Sequence, residues 1–182
     1  MKLSATVHGD GLRRVALVHG LGGSGKTWRP LVRRILALGG RSVVTVDLRG
    51  HGTLGLPTSH WSRVAPAVTM GAVALAAMPG RARIRARFAP EDQALVDEAE
   101  AGMARGVMID TFRDLTHHPL VPGPAPVPST VVLSAEGSTV VPDAVLAELV
   151  GHGWEVRRVP EVHHDFHLED ADATFAAIRD LL

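Results

Sequence analysis

The sequence predicts an α/β domain with a mostly parallel sheet flanked by helices. Near the N-terminus, apolar and β-branched runs at 14–18 and 43–48 fit buried strands, and a Gly-rich loop and a helical pattern beginning at Pro30 separate them. This order is that of a βαβ unit, which pairs its strands in parallel. Strand and helix patterns alternate again near the C-terminus, which extends the same architecture.

Short runs with strand or helix character account for most of the remaining chain. Residues 3–7 alternate weakly and predict an edge strand, while Gly39 and Gly40 end the first helical pattern. A Pro-Glu-Asp start predicts a helix over 90–104, and a further helix is predicted over 107–115. In the C-terminal third, strands and helices are predicted alternately at 130–134, 143–150, 154–159 and 172–182.

Composition and charge exclude several classes of function. The 182 residues are 46% hydrophobic and 21% charged, which is typical of a soluble globular domain. The 19 basic and 19 acidic residues give a formal net charge of zero, which argues against a nucleic-acid partner. The absence of cysteine excludes disulfides and thiolate nucleophiles. Since no apolar run approaches about 18 residues, we expect a cytoplasmic protein with no membrane partner.

The loop after the strand at 14–18 has two incompatible interpretations, of which the first is nucleotide binding. Residues 20–27 match G-x-x-x-x-G-K-T, a phosphate-binding loop in which Lys26 would contact the phosphates and Thr27 a magnesium ion. However, the helical pattern begins at Pro30, which fits best at the first turn of a helix and places the helix start after Lys26. Nucleotide binding therefore stands as an alternative hypothesis.

Three segments instead resemble the α/β-hydrolase family of esterase-like and lipase-like serine hydrolases. Residues 18–23 (V-H-G-L-G-G), followed by Trp28, are similar to the oxyanion loop after the family's third strand. Residues 47–52 (D-L-R-G-H-G) resemble the segment after its fourth strand. Residues 159–170, between the last strand and the last helix, are similar to the loop that holds the catalytic histidine.

The resemblance implies roles for individual residues in acyl hydrolysis. His164 has the position of the general base, and the backbone N–H of Leu21 has that of the oxyanion-hole donor. The family places an acid shortly after the strand predicted at 130–134. Glu136 fits that loop, and Asp143 is the second candidate.

The family's nucleophile is missing from the sequence. No serine has glycines two residues before and two residues after it, so the strained G-x-S-x-G elbow is absent. Ser24 comes closest, but it lies in the oxyanion loop. Roughly fifty residues of the family pattern, about two βα units, are also absent after the segment at 47–52. That stretch contains the middle of the family's sheet.

The sequence therefore predicts a degenerate hydrolase that binds a small apolar or acyl-type molecule. An active hydrolase that uses Ser24 or an activated water as its nucleophile is the second hypothesis. The phosphate-loop module with Lys26 and Thr27 is the third. Loss of central strands also predicts self-association, because it leaves strand edges unpaired.

The resemblance implies one domain over 1–182, a reduced α/β-hydrolase fold with residues 57–120 as a small helical cap. The family needs no cofactor, and we expect none. The cluster of His163, His164 and His167 suggests a metal site, but its members are too close together for separate ligands. Only His163 and His167, at i and i+4 on a helix, would be suitably spaced to bind one ion together. We therefore expect no metal.

Overall fold

The computed structural model describes residues 4–20, 22–48, 50–51, 79–104, 107, 123–135 and 143–182. The described strands are β1 (Ser4–His8), β2 (Arg13–Val18), β3 (Arg41–Asp47), β4 (Thr130–Ser134) and β5 (Glu155–Val159). The described helices are α1 (Arg29–Ala37), α2 (Pro79–Arg85), α3 (Pro90–Ala101), α4 (Asp143–Gly151), α5 (Phe166–Glu169) and α6 (Ala171–Ile178). Short 3-10 turns cover Gly25–Trp28 and Arg179–Leu181. No described helix is long and apolar enough to cross a membrane.

The described strands form two sheets. In the first, of order β1-β3-β2, β2 pairs with β3 in parallel and β1 pairs with β3 antiparallel. In the second, β4 pairs with β5 in parallel. Parallel pairs connected through helices confirm the predicted α/β class.

Helix α1 covers one face of the first sheet. It has Pro30 in its first turn, as predicted, and it ends before Gly39 and Gly40, whose φ angles of 69° and 62° suit glycine. Its apolar stripe packs against β3. The buried residues at this contact are Leu31, Val32, Ile35 and Val43.

The C-terminal helix α6 joins the two sheets, because it contacts both α1 and β5. On the α1 side, Arg34 Nε donates a hydrogen bond of 2.6 Å to Asp172. On the β5 side, Arg157 donates to the Ala177 carbonyl at 2.7 Å and to the Asp180 carboxylate at 2.5 and 2.8 Å. These contacts fix the second sheet to the first across the helix layer.

The face of the first sheet opposite α1 is apolar. Alternation along the strands and the pairing register place two rows of three residues there, and we call this set the open apolar face. Val7 is 66% exposed and Val18 is 53% exposed. In the part of the chain that the structure describes, no strand pairs with the outer edge of β2. The open apolar face consists of Ala5, Val46 and Val18 in one row and Val7, Val44 and Ala16 in the other.

This arrangement corrects one sequence expectation. The run at 14–18 was predicted to be a buried strand, yet only Val15 and Leu17 pack against the α1 core. Ala16 and Val18 are exposed because their side chains lie on the open apolar face. Strands that are covered on both faces usually have a continuous apolar sequence. Strand β2 has such a sequence, although among the described strands it lies at the edge of its sheet.

Most of the other predicted elements agree with the structure to within one or two residues. Helix α5 is the addition, since the predicted loop of residues 159–170 contains it. The helix predicted over 107–115 lies outside the described residues except at Val107. Of the predicted cap at 57–120, the structure describes 79–104 and Val107, which include α2 and α3. The cap boundary stays a prediction.

Candidate active site

Two histidines hold the loop that follows β2. His19 is 4% exposed, and its Nε2 accepts the Leu48 N–H at 3.0 Å, while its Nδ1 lies 2.7 Å from the Gly20 carbonyl oxygen. These contacts assign the proton to Nδ1. Nε2 of His51, also buried, accepts the Gly22 N–H at 3.2 Å. The two rings are 5.0 Å apart. The loop is thus fastened to the end of β3 and to His51 just after it.

A carboxylate and a helix start argue against phosphate binding by this loop. Asp47 Oδ1 accepts the Gly25 N–H at 2.7 Å, so a side chain of the protein already uses a backbone donor that a phosphate would need. The residues from Gly25 to Trp28 form a 3-10 turn, and α1 begins only at Arg29. A phosphate-binding loop instead leads directly into its helix.

The two side chains of the nucleotide hypothesis are engaged elsewhere as well. Thr27 is buried, and its hydroxyl donates to the Ser24 carbonyl at 2.8 Å. Lys26 forms an ion pair with Glu98 of α3. Together with the loop geometry, these contacts give the nucleotide-binding alternative no support.

Ser24 lies in the interior of this loop. It is 3% exposed, and its carbonyl accepts both the N–H and the hydroxyl of Thr27. Its backbone is extended, with φ −150° and ψ 169°, and it precedes a 3-10 turn. A nucleophilic serine of this fold family stands exposed on a strained strand-to-helix turn. The structure therefore does not favour Ser24 as a nucleophile.

We call residues 159–170 the histidine loop. In this loop, His163 has a carboxylate partner. Its backbone N–H donates to Glu169 Oε1 at 2.8 Å, and its ring Nδ1 lies 3.0 Å from Glu169 Oε2. Arg87, which follows α2, contacts the same Oε2 at 3.1 Å. The Glu169 side chain is completely buried, and this pairing is what permits a buried carboxylate. His164, the residue predicted to be the base, is exposed.

The histidine loop meets the loop after β2 through an aromatic contact. The rings of His167 and Trp28 lie 4.4 Å apart between centroids. Burial lowers the pKa of His167 to about 4, while the charge of Asp165 acts in the opposite direction. His167 is therefore a neutral packing group at neutral pH, and it holds the two loops together.

The structure describes only some of the predicted catalytic residues. Leu21 and Glu136 lie outside the described residues, so their roles stay predictions. Asp143 is exposed at the start of α4. Sequence reasoning missed the group of His163, Glu169 and Arg87, because Arg87 is remote in the sequence and a turn separates the other two residues. The available signal was the Glu in the segment H-L-E-D at residues 167–170.

The histidines also fail the geometry of a metal site. His163 precedes α5 whereas His167 lies within it, so they are not an i, i+4 pair on one helix. In the described part of the chain, no group of three or more His, Asp or Glu side chains is placed to hold a metal ion. The His163 Nδ1 is also directed to Glu169.

Comparisons with known proteins agree with the fold and with the loop after β2. Residues 15–84 match the model of the Alpha/beta hydrolase family, a segment that includes this loop, α1 and β3. No curated protein matches the chain by sequence.

Solved structures that share the fold cover nearly the whole chain. A bromoperoxidase from Bacillus anthracis has a TM-score of 0.64 at 16% identity, over 97% of this chain and 94% of its own. A marine microorganism esterase has a TM-score of 0.60 at 15% identity, over 100% and 99% of the two chains. A haloalkane dehalogenase from Agrobacterium tumefaciens C58 has a TM-score of 0.60 at 15% identity, over 98% and 91%. At these identities the likeness shows a common fold.

Proposed function

We propose that this chain, whose residues 15–84 match the Alpha/beta hydrolase family, binds a small acyl-type molecule without forming a covalent acyl-serine intermediate. The observation that carries the proposal is the absence of the family's nucleophile pattern from a sequence whose loop after β2 is held in place. The sequence has no G-x-S-x-G pattern, and the serine of the loop, Ser24, is 3% exposed. Two buried histidines nevertheless hold the loop in place.

Acyl binding at this loop is supported by the groups around it. Gly20 and Gly22 leave space beside the backbone, since a Cβ at either position would have no atom within 4 Å. Trp28 and His167 supply an aromatic wall where the histidine loop approaches. Small-molecule sites commonly combine apolar or aromatic walls with a few backbone donors. The loop after β2 supplies the open space and the aromatic wall, and the Leu21 N–H is the predicted donor to an acyl carbonyl.

Two matched variants test binding at the loop. Gly20→Trp would fill the space beside it, whereas Gly151→Trp introduces the same side chain at the end of α4, where there is also free space. Saturation-transfer NMR with hexanamide, a hydrolysis-resistant acyl compound, should detect binding to the parent and to Gly151→Trp. Binding should be lost in Gly20→Trp. Equal binding by both variants would contradict the proposed location.

The absence of serine catalysis is tested separately with a fluorophosphonate probe. We expect no labelling of the protein, because the probe reacts with activated serines. Labelling that disappears in Ser24→Ala would show that Ser24 is a nucleophile after all and would refute the proposal.

A second candidate function is slow ester hydrolysis by an activated water, and the pair of His163 and Glu169 favours it. With Nδ1 held by the carboxylate, Nε2 of His163 could accept a proton from water as the water oxygen attacks the acyl carbon. The imidazolium would then return that proton to the departing alkoxide. The His163 side chain is 29% exposed, so water can reach it.

Hydrolysis of p-nitrophenyl butyrate distinguishes this second candidate from binding alone. If His163 is the base, His163→Gln should reduce the rate by about a hundredfold, and Glu169→Gln should reduce it less. The control is His152→Gln, which removes an exposed histidine at the end of α4. A rate that is the same in all three variants and equal to buffer would remove the candidate.

A further inference from the structure

A cavity of about 470 Å³ lies between β1 and α1, on the face of the sheet opposite the open apolar face. Its volume is in the range of small-molecule sites. None of its lining residues comes from the histidine loop. Leu95 of α3 closes one part of it, and β1, β3 and α1 contribute most of the other walls. The cavity is thus a second concave site, separate from the Trp28–His167 contact.

The sheet side of the cavity is polar. Ser4, Thr6 and His8 alternate along β1 and line it from one face of the strand. The His8 Nε2 lies 3.1 Å from the Thr45 hydroxyl, which also lines the cavity. Strands usually direct apolar residues toward a covering helix. In β1 the polar residues are on the helix side, which places hydrogen-bonding groups along the cavity floor.

The α1 side combines apolar and cationic residues. Arg29, Val32, Arg33 and Leu36 are spaced at i, i+3, i+4 and i+7, so they form a single stripe along the helix. Val32 is buried and Leu36 is half-buried. With Leu95, these two residues give the cavity an apolar wall that lies between two guanidinium groups.

The guanidinium groups of this stripe are incompletely paired. Arg29 contacts Asp92 through one terminal nitrogen at 2.7 Å, but its buried Nε has no hydrogen-bond partner. Arg33 is exposed and forms no ion pair with any residue that the structure describes. Asp47 is the acidic residue of the lining, and its carboxylate already accepts the Gly25 N–H. A buried N–H without an acceptor is unfavourable, and an anionic oxygen is the strongest acceptor for it.

We propose that this cavity binds a small amphipathic carboxylate. Its carboxylate would accept hydrogen bonds from the terminal guanidinium nitrogens of Arg29 and Arg33, and its hydrocarbon chain would lie against Val32, Leu36 and Leu95. The site goes beyond the proposed acyl site at the loop after β2, because it takes an anion and uses none of that loop's histidines.

Isothermal titration calorimetry with octanoate tests the proposal. Octanoate should bind the parent protein at least about tenfold more tightly than octanamide, which has the same chain without the charge. Arg33→Gln should weaken octanoate binding by about tenfold, because a charge-assisted hydrogen bond is lost. Arg14→Gln removes an exposed arginine from β2, outside the cavity, and should leave the affinity within about twofold. Leu36→Trp should abolish binding by filling the cavity.

Any of three results would overturn the inference: equal affinity for octanoate and octanamide, equal affinity in Arg33→Gln and Arg14→Gln, or no binding at millimolar octanoate. The Gly20→Trp variant separates the two sites. If it abolishes octanoate binding while Arg33→Gln retains it, the carboxylate binds at the loop after β2. The inference then fails while the proposed function stands. If hexanamide fails to bind, but octanoate binds and Arg33→Gln weakens that binding, the proposed function fails while the inference about the cavity stands.

Discussion

Lowering the pH from about 7.5 to about 5 should destabilise the fold through His167. This imidazole packs against Trp28, and burial lowers its pKa to about 4 from an ordinary value of 6.5. The neighbouring charges act in both directions, since Asp165 and Asp92 raise the pKa and His164 lowers it further. Burial is the largest of these influences, so the neutral ring is the form that the fold accommodates.

The size of the effect follows from the difference between the two pKa values. Because the folded-state pKa lies below the unfolded one, the unfolded chain binds more protons between pH 6.5 and about 4. The free energy of unfolding therefore falls as the pH falls through this window, and full stability is retained above it. The loss amounts to about 2 kcal/mol at about pH 5 and to about 3 kcal/mol below pH 4. For a domain of this size, such a loss is a large fraction of the total stability.

Urea denaturation followed by far-UV circular dichroism at the two pH values measures this loss. His167→Phe keeps an aromatic ring against Trp28 but cannot be protonated. Between the two pH values, its free energy of unfolding should therefore fall by about 2 kcal/mol less than that of the parent. His152→Gln is the control, because His152 is exposed at the end of α4. It should follow the parent at both pH values.

The comparison between His167→Phe and the parent shows whether protonation of His167 causes the loss of stability. If both lose the same free energy of unfolding between the two pH values, protonation of His167 does not drive the loss. The assignment of His167 as a half-buried neutral packing group would then be wrong. A loss confined to pH values below about 4 would instead implicate the carboxylates.

Three further predictions concern the core, a helix cap and the open apolar face. Ile35→Ala should lower the free energy of unfolding by about 3 kcal/mol in urea denaturation, because Ile35 is completely buried between α1 and β3; a loss below about 1 kcal/mol would contradict this packing. Asp170→Ala should lower it by about 1 kcal/mol, because Asp170 caps α6 by accepting the Ala173 N–H at 2.8 Å, and Asp170→Asn should restore most of the loss. The parent should self-associate in sedimentation velocity and Val18→Lys should do so less, because Val18 is 53% exposed on that face; a parent that is monomeric at all concentrations would refute this.

The sequence was informative wherever the signal was local. Helix α1 was predicted from Pro30, from Gly39 and from the apolar positions between them. The signals for the start, the period and the end of a helix all lie within or next to the helix itself. Helix α5 was missed because four residues are too few to show a helical period. Local patterns therefore recovered the order of the elements, and the resemblance to hydrolases supplied their arrangement.

The candidate sites depended on contacts that no local pattern contains. Glu169 was visible in the sequence, but its pairing with His163 and Arg87 needs the packing of α5 against the segment after α2. The cavity beside α1 likewise depends on the antiparallel pairing of β1 with β3, which directs Thr6 and His8 under the helix. Charge and hydrogen-bond partners distant in the sequence are set by tertiary structure, which a residue-by-residue reading cannot supply.

Among the described strands β2 lies at the edge of its sheet, and this position has a consequence for amide hydrogen exchange. Along a strand, successive N–H groups point to opposite sides, so only alternate amides of β2 can donate to β3. The other amides of β2 should exchange readily, even though the strand has an apolar composition. Among the described strands, β3 alone is paired on both sides, with β1 and β2. Its amides should exchange most slowly, which would make β3 the part of this structure that opens last.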